Sequence, residues 1–197
     1  MNKILFEPQE FNRLYNCNNF HIEEVPLEKR QHFYKSVILI VLTTIYYILY
    51  VPCIISIYKH RECSCYKILL FMSIADVCNL WLLGYVHGYL SIIGAVYCSS
   101  PTFLYVTGVV ATALWATESI AETILSLNRC LIILSKSLEA RLFGGWRTYI
   151  WLSVAFAYFA LWMLFVKPVI FTSLHFTWSC NPYAGYVDDV HGDVCEH

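Results

Sequence analysis

The stretch VILIVLTTIYYILYVPCIISIY, residues Val37–Tyr58, contains no charged side chain. A helix needs roughly 20 mostly apolar residues to cross the hydrocarbon core of a bilayer. This stretch is long enough to do so. Pro52 is expected to bend the helix near its end, because proline removes a backbone hydrogen bond. The segment therefore indicates a membrane protein.

The composition of the whole chain agrees with a membrane environment. Hydrophobic residues make up 58% of the 197 residues and charged residues 14%, whereas soluble domains carry about 25% charged residues. A soluble chain of this length leaves much of its surface in water and cannot hide so much apolar surface. The formal net charge of −1 gives no basic excess. We therefore expect the lipid bilayer, and no nucleic acid, as a partner.

Three further apolar stretches predict three more membrane helices. The expected spans are 37–58, 68–90, 101–134 and 146–170, with Pro101 in a first helical turn and Pro168 near the end of helix four. The predicted fold class is all-α, an integral membrane bundle of about four transmembrane helices. Residues 1–36 form an N-terminal tail without the apolar segment of a cleavable signal peptide. Residues 172–197 form an extracellular loop or tail after helix four.

The basic residues predict the orientation, because short loops rich in Lys and Arg stay in the cytoplasm. The segments after helices one and three carry Lys59, Arg61, Lys67, Arg129, Lys136, Arg141 and Arg147. The loop 91–100 and the stretch after Thr172 carry no Lys or Arg. Lys29, Arg30 and Lys35 beside helix one oppose this pattern, but the contrast between the other loops outweighs them. We therefore expect both chain ends outside the cell, in the plasma membrane.

Helix three carries most of the polar residues at membrane depth. One stripe, at steps of three and four residues, contains Gly108, Thr112, Trp115, Ser119, Glu122, Ser126 and Arg129. Glu118 lies beside the stripe, four residues from Glu122. An acid at the centre of a span costs about 2.5–3.5 kcal/mol on insertion scales. We therefore expect the stripe to face other helices or a water-filled cavity.

Two interpretations of these acids stay open. In one, Glu118 and Glu122 contact a polar or cationic ligand together with Trp115 and Ser119. In the other, the two acids hydrogen-bond side chains of helices two and four and hold the bundle together.

Three other polar residues also need a partner or an interface. Asp76 in helix two, with Asn79 one turn on, either binds a sodium ion or bridges helices. His87 is expected to be an interfacial residue rather than a metal ligand. Arg129 either snorkels to lipid headgroups or acts as an ionic latch. From the composition of the chain alone, we favour snorkelling.

Cys98 lies before Pro101 at the outer mouth of helix three, on the oxidising side of the membrane if the orientation is right. We expect a disulfide to Cys180, which is closer to the end of helix four than Cys195. Cys17 in the N-terminal tail is a competing partner.

No metal, cofactor or enzyme activity is expected. His191, Cys195 and His197 lack the spacing and the fourth ligand of a zinc site. The chain contains no nucleotide-binding glycine motif, no histidine box and no plausible nucleophile–base pair.

Short motifs that run in order along the chain carry a family resemblance. They are Tyr15-Asn16-Cys17, Tyr50-Val51-Pro52-Cys53, Ser64-Cys65-Tyr66-Lys67, Asp76, Gly94-Ala95-Val96-Tyr97-Cys98 with Pro101, Trp115, Leu127-Asn128-Arg129-Cys130, Leu142-Phe143 with Arg147-Thr148, Trp151, Pro168 with Phe171, and Trp178 with Pro182. With this set the chain resembles the nematode serpentine receptors of class T, chemoreceptors with the seven-helix G-protein-coupled receptor fold.

The resemblance implies a receptor of sensory neurons that detects small environmental chemicals and, if complete, signals to heterotrimeric G proteins. It implies that Asn128 and Arg129 stand at the cytoplasmic switch triplet, with Asn128 in place of the usual acid, and that Asp76 is the helix-two acid of the superfamily. Glu118 and Glu122 are not carried over from the family. Where the resemblance leads us to expect an aromatic-acid-Pro run, the chain has Ser179-Cys180-Asn181-Pro182, so the partner of Cys98 stays open.

The chain ends after helix four, so we expect a receptor truncated before helices five to seven, with no ligand-driven G-protein activation by this chain alone. Two other functions remain as alternatives. The first is an ion or proton transporter or channel subunit that uses Glu118, Glu122 and Asp76, although paired broken helices and inverted repeats are missing. The second is a four-helix membrane adaptor or dominant-negative partner that forms hetero-oligomers with complete receptors.

Overall fold

The computed structural model describes Gln9, Phe11, Tyr15, Cys17 and residues 25–182. These residues contain four helical segments that are long and apolar enough to cross a membrane. The segments are Leu27–Lys59, Ser64–Ile92, Pro101–Leu134 and Arg147–Phe165, which we call spans one to four. The predicted fold class, a helical membrane bundle with about four spans, is confirmed.

The helices and strands follow one another without long connections. In chain order they are α1 (Leu27–Arg30), α2 (Phe33–Lys59), α3 (Ser64–Leu80), a π-helical segment (Trp81–Val86), α4 (His87–Ile92), a 3₁₀ turn (Tyr97–Ser99), α5 (Pro101–Leu134), α6 (Lys136–Phe143), α7 (Arg147–Phe165), β1 (Ile170–Thr172) and β2 (Thr177–Ser179). Span one comprises α1 and α2. Span two comprises α3, the π-helical segment and α4.

The first two spans extend beyond the expected 37–58 and 68–90. The helix of span one begins at Phe33 and ends at Lys59, and span two runs from Ser64 to Ile92. Hydropathy marks only the apolar centre of a helix, whereas polar residues at its ends continue the same backbone hydrogen bonds. Helix α5 has the expected bounds 101–134, with Pro101 in its first turn.

The fourth span ends at Phe165, five residues before the expected end at Ile170. Pro168 explains the difference, because proline has no N–H to donate and disfavours helical geometry in the residue before it. The chain then forms an antiparallel hairpin in which Phe171 pairs with Trp178. Phe176 in its turn has a positive φ of 52°. The all-α prediction did not include this hairpin.

Helix α5 lies at the centre of the bundle, with α3 and α7 packed against it. Close contacts also join span one to span two. A Cβ atom at Gly84 would overlap the Thr43 side chain, and one at Gly88 would press on Ile40. Small residues four apart allow two membrane helices to approach closely. These glycines therefore set the distance between α2 and span two.

Two clusters of buried apolar residues lie at opposite ends of the bundle. One, which we call the Cys98 end, contains Tyr15, Leu90, Tyr97, Leu104, Tyr105 and Phe171. The other, the Arg129 end, contains Ile68, Ile124, Leu125, Phe143 and Ala155. The polar side chains of α3 and α5 that the sequence singles out lie between them along these helices. The packed ends therefore hold the polar middle of the bundle in place.

Candidate functional site

A cavity of about 560 Å³ lies between α2, span two and α5. Its polar lining includes Tyr50, Asp76, Asn79 and Glu118, and we call the cavity the acid groove after these four residues. Its apolar lining is Leu39, Leu42, Tyr46, Leu80, Leu83 and Trp115, with Thr43 and Gly84 completing the wall. Ligand pockets commonly combine an apolar wall with a few convergent polar groups. The groove has this composition.

Two hydrogen bonds between spans organise the acid groove. The Tyr50 hydroxyl donates to Oδ2 of Asp76 at 2.9 Å. The Asn79 amide donates to Oε1 of Glu118 at 2.6 Å. The first bond joins spans one and two, and the second joins spans two and three. Each carboxyl group in the groove therefore has one donor from a neighbouring span.

Asn79 has a polar atom that these bonds leave unused. Its side chain is only 8% exposed, and its Oδ1 is buried without a hydrogen-bond partner. A buried polar atom without a partner costs free energy. Asn79 therefore has an unpaired, buried acceptor next to its bond with Glu118.

The local sequence explains why these groups converge. Asp76 and Asn79 are three residues apart on α3, so their side chains lie on the same face. The π-helical segment begins directly after them, at Trp81. Such segments shift the register of a helix face and often occur at functional sites. The Tyr47 hydroxyl donates to the Val77 carbonyl oxygen at 2.6 Å, which ties α2 to the same turn of α3.

The predicted ligand-contacting residues do not form one site. Glu118 and Trp115 line the acid groove together with Asp76. Ser119 instead lines a second cavity of about 300 Å³ that faces α7. Glu122 is exposed and lines neither of these cavities. Glu118 makes a hydrogen bond between helices, as the second interpretation expects. The same residue also lines an open groove.

The second cavity is an aromatic pocket between α5 and α7. Trp115, Tyr158 and Trp162 surround it, and Trp115 packs edge-on against Trp162 with ring centroids 6.5 Å apart. The Ser119 hydroxyl donates to the Trp115 carbonyl oxygen of its own helix. Its polar hydrogen is therefore not directed at a ligand.

The polar stripe of helix three contacts other elements toward the Cys98 end, and Trp115 and Ser119 of the stripe line a cavity. At the Cys98 end, Thr112 Oγ1 accepts from the Val169 backbone N–H at 3.4 Å, and Gly108 packs against the Val169 carbonyl. Ser119, Glu122 and Ser126 are exposed. The reason is geometric, because α3 and α7 pack on the two flanks of α5 and, within the described part of the chain, nothing covers the third.

The predicted switch residues lie at the Arg129 end. Asn128 is fully buried and donates to Ser64 Oγ at 3.1 Å, and Ser64 donates to Oε1 of Glu139 at 2.6 Å. Arg129 is exposed. The partly buried chain Asn128–Ser64–Glu139 joins span three, span two and α6, and sequence reasoning missed its last two members.

The prediction that Cys98 bonds to Cys180 is wrong. Cys98 bonds to Cys17, with Cα atoms 5.6 Å apart, and Cys180 is a free, exposed cysteine. Aromatic packing explains the choice, because Phe11 and Tyr15 of the N-terminal segment pack edge-on against Tyr105 near the start of α5. This packing brings the tail to Cys98. The alternative partner Cys195 lies outside the described residues.

His87 is a buried residue and not the interfacial one that we expected. It is 8% exposed, and its Nδ1 accepts a hydrogen bond from Trp178 Nε1 at 3.1 Å. The rings of Phe171 and Phe176 also contact it. The β-hairpin, which was not predicted, buries this histidine.

The described part of the chain contains no candidate metal site. Within it, no group of three His, Cys, Asp or Glu side chains is arranged to hold a metal ion. His191, Cys195 and His197 lie outside the described residues.

The sequence carried partial signals for the residues that it missed. Asn79 stands one turn after Asp76 at membrane depth, where a polar group needs a partner. Tyr50 is a phenol in the otherwise apolar centre of α2. Only the three-dimensional structure pairs Tyr50 with Asp76 and Asn79 with Glu118.

The fold and the groove define a class, a helical membrane protein with a partly polar cavity among its spans. The sequence model described as "Serpentine type 7TM GPCR chemoreceptor Srt" matches residues 3–191. The chain therefore belongs to the Srt family of serpentine chemoreceptors.

A curated relative supports the same family. Serpentine receptor class T-55 of Caenorhabditis elegans is 26% identical over 120 residues, which cover 61% of this chain and 33% of that protein. The aligned part of the chain thus spans about a third of the relative's length. No solved structure matches the chain.

Proposed function

We propose that the chain is part of a chemosensory receptor of the plasma membrane, which detects small environmental chemicals and signals to a heterotrimeric G protein. Family membership supports the receptor class. The ligand, the G protein and any receptor hetero-oligomer belong to the whole receptor and are part of the proposal.

The observation that carries the proposal is the acid groove. A carboxyl group at membrane depth is costly, and such groups commonly belong to functional sites. Asp76 and Glu118 each receive one hydrogen bond from a neighbouring span, yet both line an open cavity. The groove thus has room for a small molecule between three spans.

The proposed orientation places the Cys98 end outside the cell and the Arg129 end in the cytoplasm. The Cys17–Cys98 disulfide supports it, because disulfides persist in oxidising compartments. The basic residues of the loops at the Arg129 end agree with the charge rule. In this orientation the Asn128–Ser64–Glu139 chain faces the side where a G protein would bind.

The transporter alternative predicts an ion path that includes Glu122 as well as Glu118 and Asp76. The exposed position of Glu122, outside the groove, is evidence against such a path within the described residues. The adaptor alternative needs no cavity and predicts co-purification with complete receptors.

A response assay in cultured cells tests the proposal. The complete product of the transcript is expressed with a promiscuous G protein, and intracellular calcium is recorded while a panel of volatile and water-soluble chemicals is applied. We expect a chemical-dependent response that is lost in Asp76→Asn and kept in Glu62→Gln, an exposed acid in the loop after α2. Ion flux without an added chemical and without a G protein would instead support the transporter.

A further inference from the structure

The polar atoms of the acid groove are unevenly divided between donors and acceptors. The Tyr50 hydroxyl and the Asn79 amide both donate to carboxyl oxygens of the groove. The Thr43 hydroxyl donates to the Leu39 carbonyl of its own helix. The lining contains no Lys or Arg. These three donors are therefore already used. The other donors of the lining, the Tyr46 hydroxyl and the Trp115 indole N–H, belong to side chains that are more than half exposed.

The acceptors of the groove converge from two spans. Each carboxyl group has two oxygens; Tyr50 donates to one oxygen of Asp76 and Asn79 to one of Glu118, and the two carboxyl groups are close enough to hydrogen-bond each other. A cation between them can bridge both groups. Asn79 Oδ1 has no partner although its side chain is more than nine-tenths buried. A ligand that satisfies the two carboxyl groups must donate several hydrogen bonds and carry positive charge.

The rest of the lining selects an apolar body. Leu39, Leu42, Leu80 and Leu83 form most of the wall. Trp115 lines the same cavity and is 63% exposed, so its ring is accessible. Aromatic faces attract cations, and tryptophan does so best. A fully hydrated metal ion would leave this apolar wall without a partner.

We propose that the acid groove binds a small primary ammonium ion with an apolar tail. The ammonium group donates to Asp76 and Glu118, and the tail lies against the leucines and Trp115. This assignment rests on the proposed receptor function, because it names the ligand class of the same groove.

Calorimetric titration of the purified chain tests the ligand class. The chain is placed in nanodiscs of zwitterionic phosphatidylcholine, with empty nanodiscs as the blank. The probe is 2-phenylethylammonium, and 2-phenylethanol is its uncharged analogue of the same shape. We expect saturable binding of the ammonium and at least about tenfold weaker binding of the alcohol, as expected when a charged hydrogen-bond donor is lost.

Two conservative variants test the residues. Asp76→Asn and Glu118→Gln remove the charge but keep an oxygen that can accept from Tyr50 or Asn79, so the bonds between spans are retained. We expect each to weaken binding of the ammonium by at least about tenfold. Glu62→Gln, which removes an exposed acid outside the groove, should leave the affinity unchanged.

Several results would overturn the assignment. Equal affinity for 2-phenylethanol would show that the groove does not distinguish a charged ligand from an uncharged one. Loss of binding in Glu122→Gln but not in Glu118→Gln would move the site out of the groove. Heat of binding from sodium chloride but not potassium chloride, with none from the ammonium, would identify a metal ion as the occupant.

The outcome separates this assignment from the receptor proposal. Absence of ammonium binding, together with a chemical-evoked calcium response that needs Asp76, would leave the receptor function intact with an uncharged ligand. Ammonium binding without any calcium response would support the ligand class and contradict the signalling proposal.

Discussion

The side-chain amide of Asn79 donates a 2.6 Å hydrogen bond to Oε1 of Glu118, and this bond joins spans two and three beside the acid groove. It leaves Asn79 Oδ1 buried and unpaired. The same pair of residues thus links two spans and lines a cavity. A structural contact and a binding surface coincide here.

A double-mutant cycle measures the strength of this link. For Asn79→Ala and Glu118→Ala we expect a coupling free energy of about 0.6 kcal/mol, and no more than about 1.7, the range found for hydrogen bonds between membrane helices. The measurement is the free energy of unfolding in lipid bicelles. Pairing Asn79→Ala with Glu62→Ala is the control and should give additive effects, because the loop acid is remote from the bond. Additive effects for the first pair as well would contradict the bond.

Gly84 is expected to be required for the approach of span two to α2. Its substitution by Ala would push a methyl group into the Thr43 side chain, and overpacking of this kind costs about 1–3 kcal/mol. Thermal unfolding in detergent measures the loss. Thr43→Ala in the same chain creates space and should recover part of the stability. A double variant no more stable than Gly84→Ala alone would mean that the two spans do not meet at this position.

The four spans could be predicted from the length of their apolar stretches, of which Val37–Tyr58 is an example. Such a stretch can be recognised without knowing any tertiary contact. The end of α7 was missed because Pro168 acts on the residues before it, within an apolar run. The partner of Cys98 depends on how Tyr15 packs on Tyr105, a contact between residues ninety positions apart in the sequence. No local pattern encodes such a contact.

The sequence predicted only part of the polar site, because the rest depends on contacts between helices. The cost of an acid at membrane depth identified Asp76 and Glu118 as residues that need partners. Helical spacing then grouped Ser119 and Glu122 with Trp115 on one stripe, which is true of an isolated helix. Which edge of α5 meets α3 depends on packing between helices, and that packing chose Glu118 and left Glu122 exposed.

The disulfide is expected to stabilise the Cys98 end. It closes a segment with a sequence separation of 81 residues, and cross-links of this kind contribute about 2–5 kcal/mol, mainly by restricting the unfolded chain. Cys17→Ser should lower the free energy of unfolding by this amount. Cys180→Ser, which removes a free and exposed thiol, should have no effect. A loss in Cys180→Ser with none in Cys17→Ser would instead favour the pairing with Cys180 that the sequence suggested.

The partly buried chain Asn128–Ser64–Glu139 should hold α6 against the bundle. Ser64→Ala removes the acceptor of the Asn128 amide and the donor to Glu139, and an unsatisfied buried polar group costs about 1–3 kcal/mol. Hydrogen exchange of the α6 amides, Lys136–Phe143, should become faster. The control is Ser137→Ala, which removes an exposed hydroxyl of α6 itself. Unchanged exchange in Ser64→Ala would mean that other contacts, such as the burial of Phe143 and the Trp151 bond to the Leu142 carbonyl, hold α6 in place.

The proposed receptor function depends on the orientation of the chain in the membrane. Two native cysteines can report this orientation. Cys180 is exposed at the Cys98 end, and Cys63 is exposed in the loop after span one. An impermeant maleimide is applied to cells that express the chain in a Cys195→Ser background, and labelling is quantified before and after permeabilisation. We expect labelling of intact cells to be abolished by Cys180→Ser, and labelling that depends on Cys63 to require permeabilisation. Labelling of Cys63 in intact cells, with Cys180 protected, would reverse the orientation, and equal labelling of both would contradict a protein that crosses the membrane.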